Sequence, residues 1–468
     1  MVVQHNLSAM NANRMLGITT GSLAKSTEKL SSGYKVNRAA DDAAGLSISE
    51  KMRKQIRGLD QASANAEDGI SAVQTAEGAL TEVHDMLQRM NELAVKAANG
   101  TMSTDDRQTV QDEVDQLLTE IDRVAETTKF NETYLLKGDS NTVTKKVDAK
   151  DAGIDGTLAQ GATKGTFTMA KLKLADTISI GGVEYTIGGT PENVKTSIKQ
   201  SGLIAGSVIN LDGVMYTVAG QEGSNAEKNI LSLDEISKKV QDDSVAIFNG
   251  KTHTAITDKK KLDGTATQDG IDDNTPTIIN EATAYKKVQD ALLLANNIGV
   301  DTPATVGAAA DKKMNGKDYK TFEIRKGSVN VKETLNFALH VGADADMNNK
   351  INVDIDAMNT AGLGIKGLNV KDSSGASATY AIDSIADAIA KVSAQRSSLG
   401  AIQNRLEHTI NNLDNVVENT TAAESQIRDT DMAEEMVKYS KNNILQQAGQ
   451  SMLAQANQAN QGVLSLLS

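Results

Sequence analysis

Several residue types are absent or scarce in this chain of 468 residues, and each absence excludes a class of protein. There is no cysteine, so no disulfide can stabilise the fold and no thiolate can bind a metal. There is no tryptophan and there are five phenylalanines, which leaves little aromatic mass for one large globular core. The formal net charge is -13 and no dense basic block occurs, so neither nucleic acid nor an anionic membrane is expected as a partner.

Long apolar runs are also missing. No segment is apolar enough to span a bilayer, so membrane insertion is not expected. The first residues show no charged leader followed by an apolar stretch, and export through a cleaved signal peptide is therefore not expected either.

Proline is scarce and is confined to one part of the chain. The three prolines, Pro191, Pro276 and Pro303, all lie in the middle of the chain. Because a proline inside a helix removes a hydrogen bond and clashes with the preceding turn, both ends are free to form long uninterrupted helices. Helical packing of the two ends, around a different kind of structure in the middle, is the predicted architecture.

The N-terminal part carries three helical patterns. Leu16, Leu23 and Leu30 recur at heptad spacing in a polar background, and residues 31–33 (SSG) end that helix. Residues 47–98 place an apolar residue every three or four positions and predict a long amphipathic helix. After a stop at residues 99–100 (NG), Ser103 is the predicted N-cap of a helix that ends near residue 128 and pairs with its predecessor in antiparallel fashion.

The C-terminal part predicts two further helices. Residues 384–419 present an apolar face to the same core as the helices of residues 47–128. The last helix carries apolar residues on one face up to the end of the chain, which predicts burial against another subunit. Repeated contacts of this kind would give a polymer. The residues predicted to drive polymerisation are Leu16, Leu23, Leu30, Leu445, Met452, Val463, Leu464 and Leu467.

The middle of the chain has the alternation typical of β-hairpins. Residues 178–187 alternate around Gly-Gly, residues 208–218 around Asp-Gly and residues 246–254 around Asn-Gly. Each is followed by a segment that can be helical, most clearly residues 226–240 and 281–297. Two interpretations stay open: a hairpin-plus-helix module used two or three times, or a single irregular α+β domain with several hairpins.

Some patterns resemble cofactor-binding or metal-binding sites, but each has a simpler structural explanation. Residues 362–367 (GLGIKG) fit a dinucleotide fingerprint as a string, but the following residues 368–370 favour a strand over the required helix. Asp344, Asp346 and Asn348 resemble the start of a calcium loop, yet its glycine and its bidentate glutamate are missing, so a polar turn between strands is expected. The histidines are scattered. No enzyme activity, cofactor or metal is expected.

Two sets of motifs resemble one known family, the bacterial flagellins. Near the N-terminus they are residues 6–12 (NLSAMNA), 30–37 (LSSGYKVN) and 39–46 (AADDAAGL). Near the C-terminus they are residues 396–406 (RSSLGAIQNRL), 427–434 (IRDTDMAE) and 452–458 (MLAQANQ). The resemblance covers residues 1 to about 140 and about 333 to 468.

This resemblance implies a mainly α fold, an antiparallel helical bundle or coiled-coil rod made by both chain ends, with an inserted α+β outer domain rich in β-hairpins. The expected domains are residues 1–44 with 424–468 (inner tube), 45–140 with 333–423 (helical bundle) and 141–332 (variable surface insertion). The implied function is a structural subunit that is secreted and polymerises into the extracellular flagellar filament for swimming motility. The alternatives are a hook-filament junction protein, or a flagellin whose insertion is an adhesin or an enzyme.

The resemblance also implies partners beyond the chain itself. These are a flagellar export chaperone, cap and junction proteins, and the host's innate immune Toll-like receptor 5. Residues 88–95 (QRMNELAV) resemble the region that this receptor binds, and Arg89, Leu93 and Glu113 are the predicted receptor-binding residues. Arg89 and Glu113 lie equally far from the turn between their helices, so we expect them to be level on the antiparallel pair.

Overall fold

The computed structural model describes residues 6–220, 225, 228–259, 268–314, 316–372 and 375–465, with side chains as far as residue 458. The chain divides into two compact units, each made of separated segments. The first unit comprises Met1–Ser71, Ala338–Asn352 and Ile402–Ser468, and the second comprises Ala72–Phe337 and Val353–Ala401. The three-part domain division expected from the sequence stays a prediction.

Long helices occupy both ends of the chain, and short ones lie between them. They are α1 (Leu7–Ser32), α2 (Ala43–Ala98), α3 (Thr104–Thr127), α4 (Pro191–Lys199), α5 (Leu233–Lys238), α6 (Glu281–Asn296), α7 (Thr360–Leu363), α8 (Ala376–Arg428) and α9 (Met432–Ser465). The predicted terminal helices are confirmed, and α8 is longer at both ends than the sequence pattern indicated.

Short strands fill the middle of the chain. They are β1 (Lys129–Phe130), β2 (Thr133–Tyr134), β3 (Thr142–Lys146), β4 (Thr157–Gln160), β5 (Lys164–Ala170), β6 (Thr177–Ile180), β7 (Val183–Ile187), β8 (Val208–Leu211), β9 (Val214–Val218), β10 (Ile230–Leu231), β11 (Val245–Phe248), β12 (Lys251–Thr254), β13 (Ile278–Ile279), β14 (Thr305–Val306), β15 (Ala310–Met314), β16 (Lys317–Arg325), β17 (Ser328–Lys332), β18 (Leu335–His340) and β19 (Lys350–Ile355). The chain as a whole is therefore mixed α/β, with helical ends and a β-rich insertion.

The second unit contains a densely packed helical bundle. In α2, apolar side chains one helical turn apart are fully buried, among them Leu80, Val83, Leu87 and Met90. Apolar residues of α3 are also buried, and Ser103 caps α3 in a capping box in which Asp106 returns the hydrogen bond. Matching apolar stripes on neighbouring helices exclude water along their whole contact, so this bundle has its own core.

Buried polar side chains of the bundle form hydrogen bonds with backbone groups at helix ends and in loops. Arg107 is 3% exposed and donates from Nε to the Ala97 carbonyl, 2.9 Å away, at the end of α2. The side-chain amide of Gln111 donates to the Leu368 carbonyl and accepts from the Val370 N–H. The strand expected at residues 368–370 is wrong, because this segment pairs with a side chain instead of a neighbouring strand.

The first unit has a small apolar core cluster. It unites Ala66 of α2 and Leu406 of α8 with Val341, in the loop after β18, and Ile351 of β19. The loop between these strands is a polar turn, as expected, with a single 3-10 turn at Met347–Asn349. The ends of α1 and α8 are joined by an isolated antiparallel bridge between Tyr34 and Asp429.

The insertion contains three β-hairpins built to one pattern, β6–β7, β8–β9 and β11–β12. In each, a left-handed residue donates its N–H to the carbonyl twelve positions later. These bonds join Ala175 to Ile187, Gly206 to Val218 and Asp243 to Ala255, at 2.8, 2.9 and 2.8 Å. Such closely matching geometry favours the module interpretation over a single irregular domain.

Each hairpin is also joined by a short parallel segment that leads directly into a capped helix. β13 pairs with β7 and precedes α6, and β10 pairs with β9 and precedes α5. For the third hairpin, the parallel segment and its helix come earlier in the chain than the hairpin itself. Gly189 pairs with Ala255, just after β12, and precedes α4. The three modules are therefore interleaved along the sequence.

One expected helix of the insertion is wrong in extent. Residues 226–240 were expected to be helical, and the described part forms a helix at α5 alone. Asn229 adopts φ 55°, in the left-handed region that ends helices, and Ile230 and Leu231 pair as β10. Residues 226–227 lie outside the described part of the chain.

The two ends of the insertion lie side by side. β3 and β17 form an antiparallel pair whose register runs from Thr142 opposite Lys332 to Lys146 opposite Ser328. The Asp139 N–H also donates to the Glu333 carbonyl at 2.8 Å. Chain entry and exit are thus neighbours, as an inserted domain requires.

Candidate receptor-binding patch and assembly surface

Arg89 of α2 and Glu113 of α3 form an exposed ion pair. The Arg89 Nε and one terminal nitrogen both lie 2.9 Å from Glu113 Oε1, and its other terminal nitrogen lies 3.1 Å from Glu92 Oε2. The level placement expected on the antiparallel helices is thereby found. The hydrogen bonds that Arg89 donates to the two carboxylates, first to Glu113 and then to Glu92, raise the pKa of its guanidinium. The result is a small, fixed arrangement of one cation between two anions.

Leu93 does not share this surface. Its side chain is 2% exposed and belongs to the core of the bundle. The expected role of Leu93 as an apolar anchor on the surface therefore needs correction, because a buried side chain can only support the patch from beneath. The exposed apolar residue of the same stretch is Val95, at 53%. Assignment of Arg89, Leu93 and Glu113 to a receptor stays a prediction.

A second candidate surface lies on α1 and α9. The helices are neighbours, since the Asn6 side chain, which caps α1, donates to the Ala456 carbonyl of α9 at 3.0 Å. Yet the only buried side chain in α1 is Ser26, and among the described residues of α9 the buried one is Glu435. The exposed large apolar side chains are instead Leu7, Met10, Met15, Ile18, Met432, Met436, Val437, Ile444, Leu445 and Met452. We call this set the terminal stripe.

The residues predicted for polymerisation fall into three groups. Leu16, Leu23 and Leu30 are half-buried, and Leu16 lies close to Gly449 of α9 in the same chain. Leu445 and Met452 are exposed members of the terminal stripe. Val463 and Leu464 lie in α9 beyond the last described side chain, and Leu467 lies outside the described residues. Their role in assembly stays a prediction.

The sequence pattern missed the exposed residues of α1. Met10 and Ile18 lie off the heptad of leucines and are 64% and 58% exposed. A heptad count selects the residues that pair two helices, so it could not identify exposed apolar residues that lie off this heptad.

No described helix is long and apolar enough to cross a membrane. Within the same part of the chain, no three histidine, aspartate or glutamate side chains are grouped so that they could hold a metal ion.

Comparison with known proteins identifies both chain ends and then the whole chain. Residues 3–141 match the bacterial flagellin N-terminal helical region, and residues 382–467 match the bacterial flagellin C-terminal helical region. A flagellin of Clostridium tyrobutyricum is 39% identical over 98% of this chain and 100% of its own length. The chain belongs to the flagellin family. A flagellin of Bacillus subtilis is 34% identical, with 100% of both chains covered.

Among solved structures, FliC from Burkholderia pseudomallei matches 72% of this flagellin and 99% of its own chain, at 19% identity and a TM-score of 0.23. The flagellar junction protein FlgL from Legionella pneumophila matches 81% of this flagellin and 99% of its own chain, at 12% identity and a TM-score of 0.32. These TM-scores are too low to support an argument, so the assignment rests on the full-length sequence relatives.

The prediction of a structural subunit of the bacterial flagellar filament is therefore confirmed. The family is one of structural proteins, and the described residues show no catalytic arrangement. Such filaments lie outside the cell, which sets the location of the assembled subunit.

Proposed function

We propose that this flagellin polymerises through the terminal stripe of α1 and α9, and that other copies supply the core which the pair lacks. The observation that carries the proposal is the pairing itself: α1 and α9 have 26 and 34 residues, but no apolar side chain in their described parts is buried. Ordering a backbone costs about 1–2 kcal/mol per residue, and burial of a large apolar side chain returns about 1.5–3 kcal/mol. The α1–α9 pair alone lacks this favourable free energy, because it buries no apolar side chain in its described part.

We therefore expect α1 and α9 to gain their stable helical structure on assembly. We also propose that an export chaperone covers the α9 part of the terminal stripe before secretion. An exposed apolar helix face can bind in an apolar groove of such a partner. A chain without cysteine can pass from the cytoplasm to the exterior with no oxidative side reaction.

Charge placed on the stripe tests this proposal. Ile444→Lys puts an ammonium group at a side chain that is 66% exposed in the single chain. We expect polymer to disappear at protein concentrations where the unaltered chain assembles, because the charge would be buried between copies. The matched control is Met314→Lys, at a 44% exposed apolar side chain of β15 in the insertion. Sedimentation measures the polymer, and normal filaments from Ile444→Lys would contradict the proposal.

Loss of the C-terminal residues 463–468 tests the same interface from its end. We expect this truncation to block polymerisation while the α2 and α3 helices stay folded, as read by circular dichroism. Filaments of normal length from the truncated chain would show that the stripe before residue 463 suffices.

We also propose that the monomer is recognised by Toll-like receptor 5 at the Arg89–Glu113 patch, with Leu93 supporting the helix from beneath. What supports this is the Arg89 side chain, which is 52% exposed, lies between two carboxylates and can donate further hydrogen bonds to a partner. Neighbouring copies would cover the patch in the filament, so monomer alone would be bound. Cap and junction proteins are expected to meet the terminal stripe instead.

The receptor proposal has a matched control on the next helix. Arg89→Ala should weaken receptor binding by about 1–3 kcal/mol, the range of an interface hot spot. Arg123 forms a similar exposed pair with Glu120, at 2.5 Å, and Arg123→Ala should leave binding unchanged. Binding by purified monomers measures both. Equal affinities for the two variants would refute the patch. Leu93→Ala is the poorer probe, because removing a buried leucine costs about 2–5 kcal/mol of stability.

A further inference from the structure

The linker from α1 to α2 and the linker from α8 to α9 lie against each other. Two backbone hydrogen bonds, of 2.6 and 3.0 Å, flank the antiparallel bridge between Tyr34 and Asp429. They connect residues 33–35 to residues 428–430, and we call these six residues the joint. All of them belong to the first unit. The two chain ends are thus held side by side before either terminal helix has made a contact along its length.

The Arg428 side chain closes the joint. Its guanidinium carbon lies 4.7 Å from the centre of the Tyr34 ring, and one terminal nitrogen lies 3.1 Å from Glu50 Oε1 of α2. The same nitrogen lies 3.4 Å from the hydroxyl of Ser49, which is 1% exposed and donates to Glu424 of α8 at 2.8 Å. Because a stacked, mostly buried guanidinium stabilises more than an exposed ion pair does, Arg428 binds both linkers to α2.

The register of α1 and α9 agrees with a count from the joint. α1 ends at the joint and α9 begins just after it, so the two helices are antiparallel. Asn6 precedes the joint by nearly as many residues as Ala456 follows it, and the Asn6 side chain donates to the Ala456 carbonyl. Leu16 and Gly449, which lie close together, obey the same count. Both helices rise about 1.5 Å per residue, so equal counts from the joint place residues side by side.

The two helices by themselves do not specify this register. Half-buried positions of α9 recur every three or four residues, at Gln446, Gly449, Leu453 and Ala456. A shift of one helical turn would place Leu16 beside Leu453 instead of Gly449. Since the buried side chains in the described parts of α1 and α9 are Ser26 and Glu435, such a shift loses little apolar burial. Something other than an apolar core must select the register.

We propose that Arg428 is a positioning residue for assembly, because the joint that it closes fixes the register in which α1 and α9 pair. The inference rests on the proposed polymerisation, since the register decides how the apolar side chains of the two helices line up along the terminal stripe. Coiled coils whose apolar residues permit several registers are likewise fixed by one specific contact. Holding two helices together at one end also lowers the entropic cost of bringing the rest together.

Engineered disulfides can report the register, because the natural chain has no cysteine. A side chain at position 449 would place its Cβ atom 4.0 Å from the Leu16 Cβ, within the range that a disulfide spans. Leu16→Cys with Gly449→Cys therefore reports the observed register, and Leu16→Cys with Leu453→Cys reports a shift of one turn. Both double variants are oxidised as dilute monomer, so that the bond forms within one chain, and mass spectrometry measures the two yields.

Substitutions in the joint should change the ratio of these yields. We expect Arg428→Ala to lower the ratio of the first disulfide to the second by about tenfold, because it removes a stacked cation and its charged hydrogen bonds. Tyr34→Ala should lower the ratio too, whereas Tyr34→Phe keeps the ring and should preserve it. The matched control is Arg405→Ala, at another arginine of α8 that is exposed, and it should leave the ratio unchanged.

The Tyr34 variants decide the question if Arg428→Ala lowers the helical circular dichroism, because they leave α8 intact. An unchanged ratio in both Arg428→Ala and Tyr34→Ala would overturn the inference. This measurement needs no polymer, so it is independent of the proposed function. If the ratio falls and Ile444→Lys still polymerises normally, the register assignment stands and the proposed function fails. If Ile444→Lys blocks assembly and the ratio does not fall, the inference alone fails.

Discussion

The helical bundle of the second unit and the α1–α9 pair of the first unit are both read from the sequence as amphipathic helices, yet they differ in what they bury. In the bundle, Leu80, Leu87 and Met90 are 0% exposed. In the described parts of α1 and α9, Ser26 and Glu435 are the buried side chains. A narrow stripe can align two helices, but only a wide one excludes water from both. The bundle is complete within one chain, whereas we propose that the terminal pair needs other chains.

The largest expected difference between the bundle and the terminal pair is the loss of stability when one leucine or isoleucine is shortened to alanine. Leu87→Ala should lower the free energy of unfolding of the monomer by about 2–5 kcal/mol, because it leaves a cavity in a closed core. Ile444→Ala in α9, at 66% exposure, should change it by less than about 0.5 kcal/mol. Urea unfolding of both variants measures this. Similar losses at the two positions would show that the terminal pair has a core of its own.

Removal of the insertion asks whether the bundle depends on it. Thr142 and Lys332 are register partners, so a two-residue Asn-Gly turn can replace residues 143–331 as a tight hairpin. The cost should be about 1–3 kcal/mol, since Lys150 no longer donates to Ser384 at 2.7 Å and Lys366 loses Asp301. Filaments should still assemble. A monomer with normal helical circular dichroism that cannot polymerise would show that contacts of the insertion are required.

The long helices and the three hairpins could be predicted from sequence because their signals are local. A 3.6-residue period marks α2 and α3, and paired turn residues such as Asp212 and Gly213 mark a hairpin. The interleaving of the modules could not be predicted, because Gly189 has no strand propensity and pairs only once the third hairpin exists. Tertiary pairing decided that part of the fold.

The candidate site divides in the same way. The Arg89–Glu113 pair followed from counting residues on antiparallel helices, which is geometry that the sequence contains. The burial of Leu93 depends on which face α3 covers, and the spacing of Leu93 from Arg89 alone cannot determine it. The exposed face of α1 depends on where α9 lies, which the heptad of leucines does not reveal.

Loss of a helix cap should have a smaller effect, confined to the bundle. Ser103 accepts from the Asp106 N–H at 3.1 Å, and Asp106 Oδ2 accepts from the Ser103 hydroxyl at 2.8 Å. Ser103→Ala should cost about 1 kcal/mol of monomer stability and leave polymerisation unchanged. Thermal unfolding with a parallel sedimentation assay checks this. A polymerisation defect in this variant would mean that the α2–α3 turn takes part in assembly.

The smallest expected effect is a pH dependence in the insertion. His253 is 7% exposed and stacks on Phe248 with ring centroids 4.1 Å apart. Burial, and then the charge of Lys251, lower the pKa of this imidazole below its ordinary 6.5. The unfolded chain therefore binds the proton more readily, and stability is complete above pH 6.5 and declines below it.

Substitution of the same histidine isolates that effect. His253→Phe keeps a ring against Phe248 and removes the titration, so its melting temperature should fall less than that of the unaltered chain between pH 7.5 and about 5. Parallel slopes for both proteins would assign the pH dependence to other groups.

Hydrogen exchange of monomer and polymer tests the central claim most directly, since it reports the stability of each helix separately. The account predicts that α1 and α9 exchange rapidly in the monomer and become strongly protected in the polymer, while residues 72–98 of α2 and all of α3 are protected in both. Equal, strong protection of α1 and α9 in the dilute monomer would contradict it, because the terminal pair would then be stable without other copies.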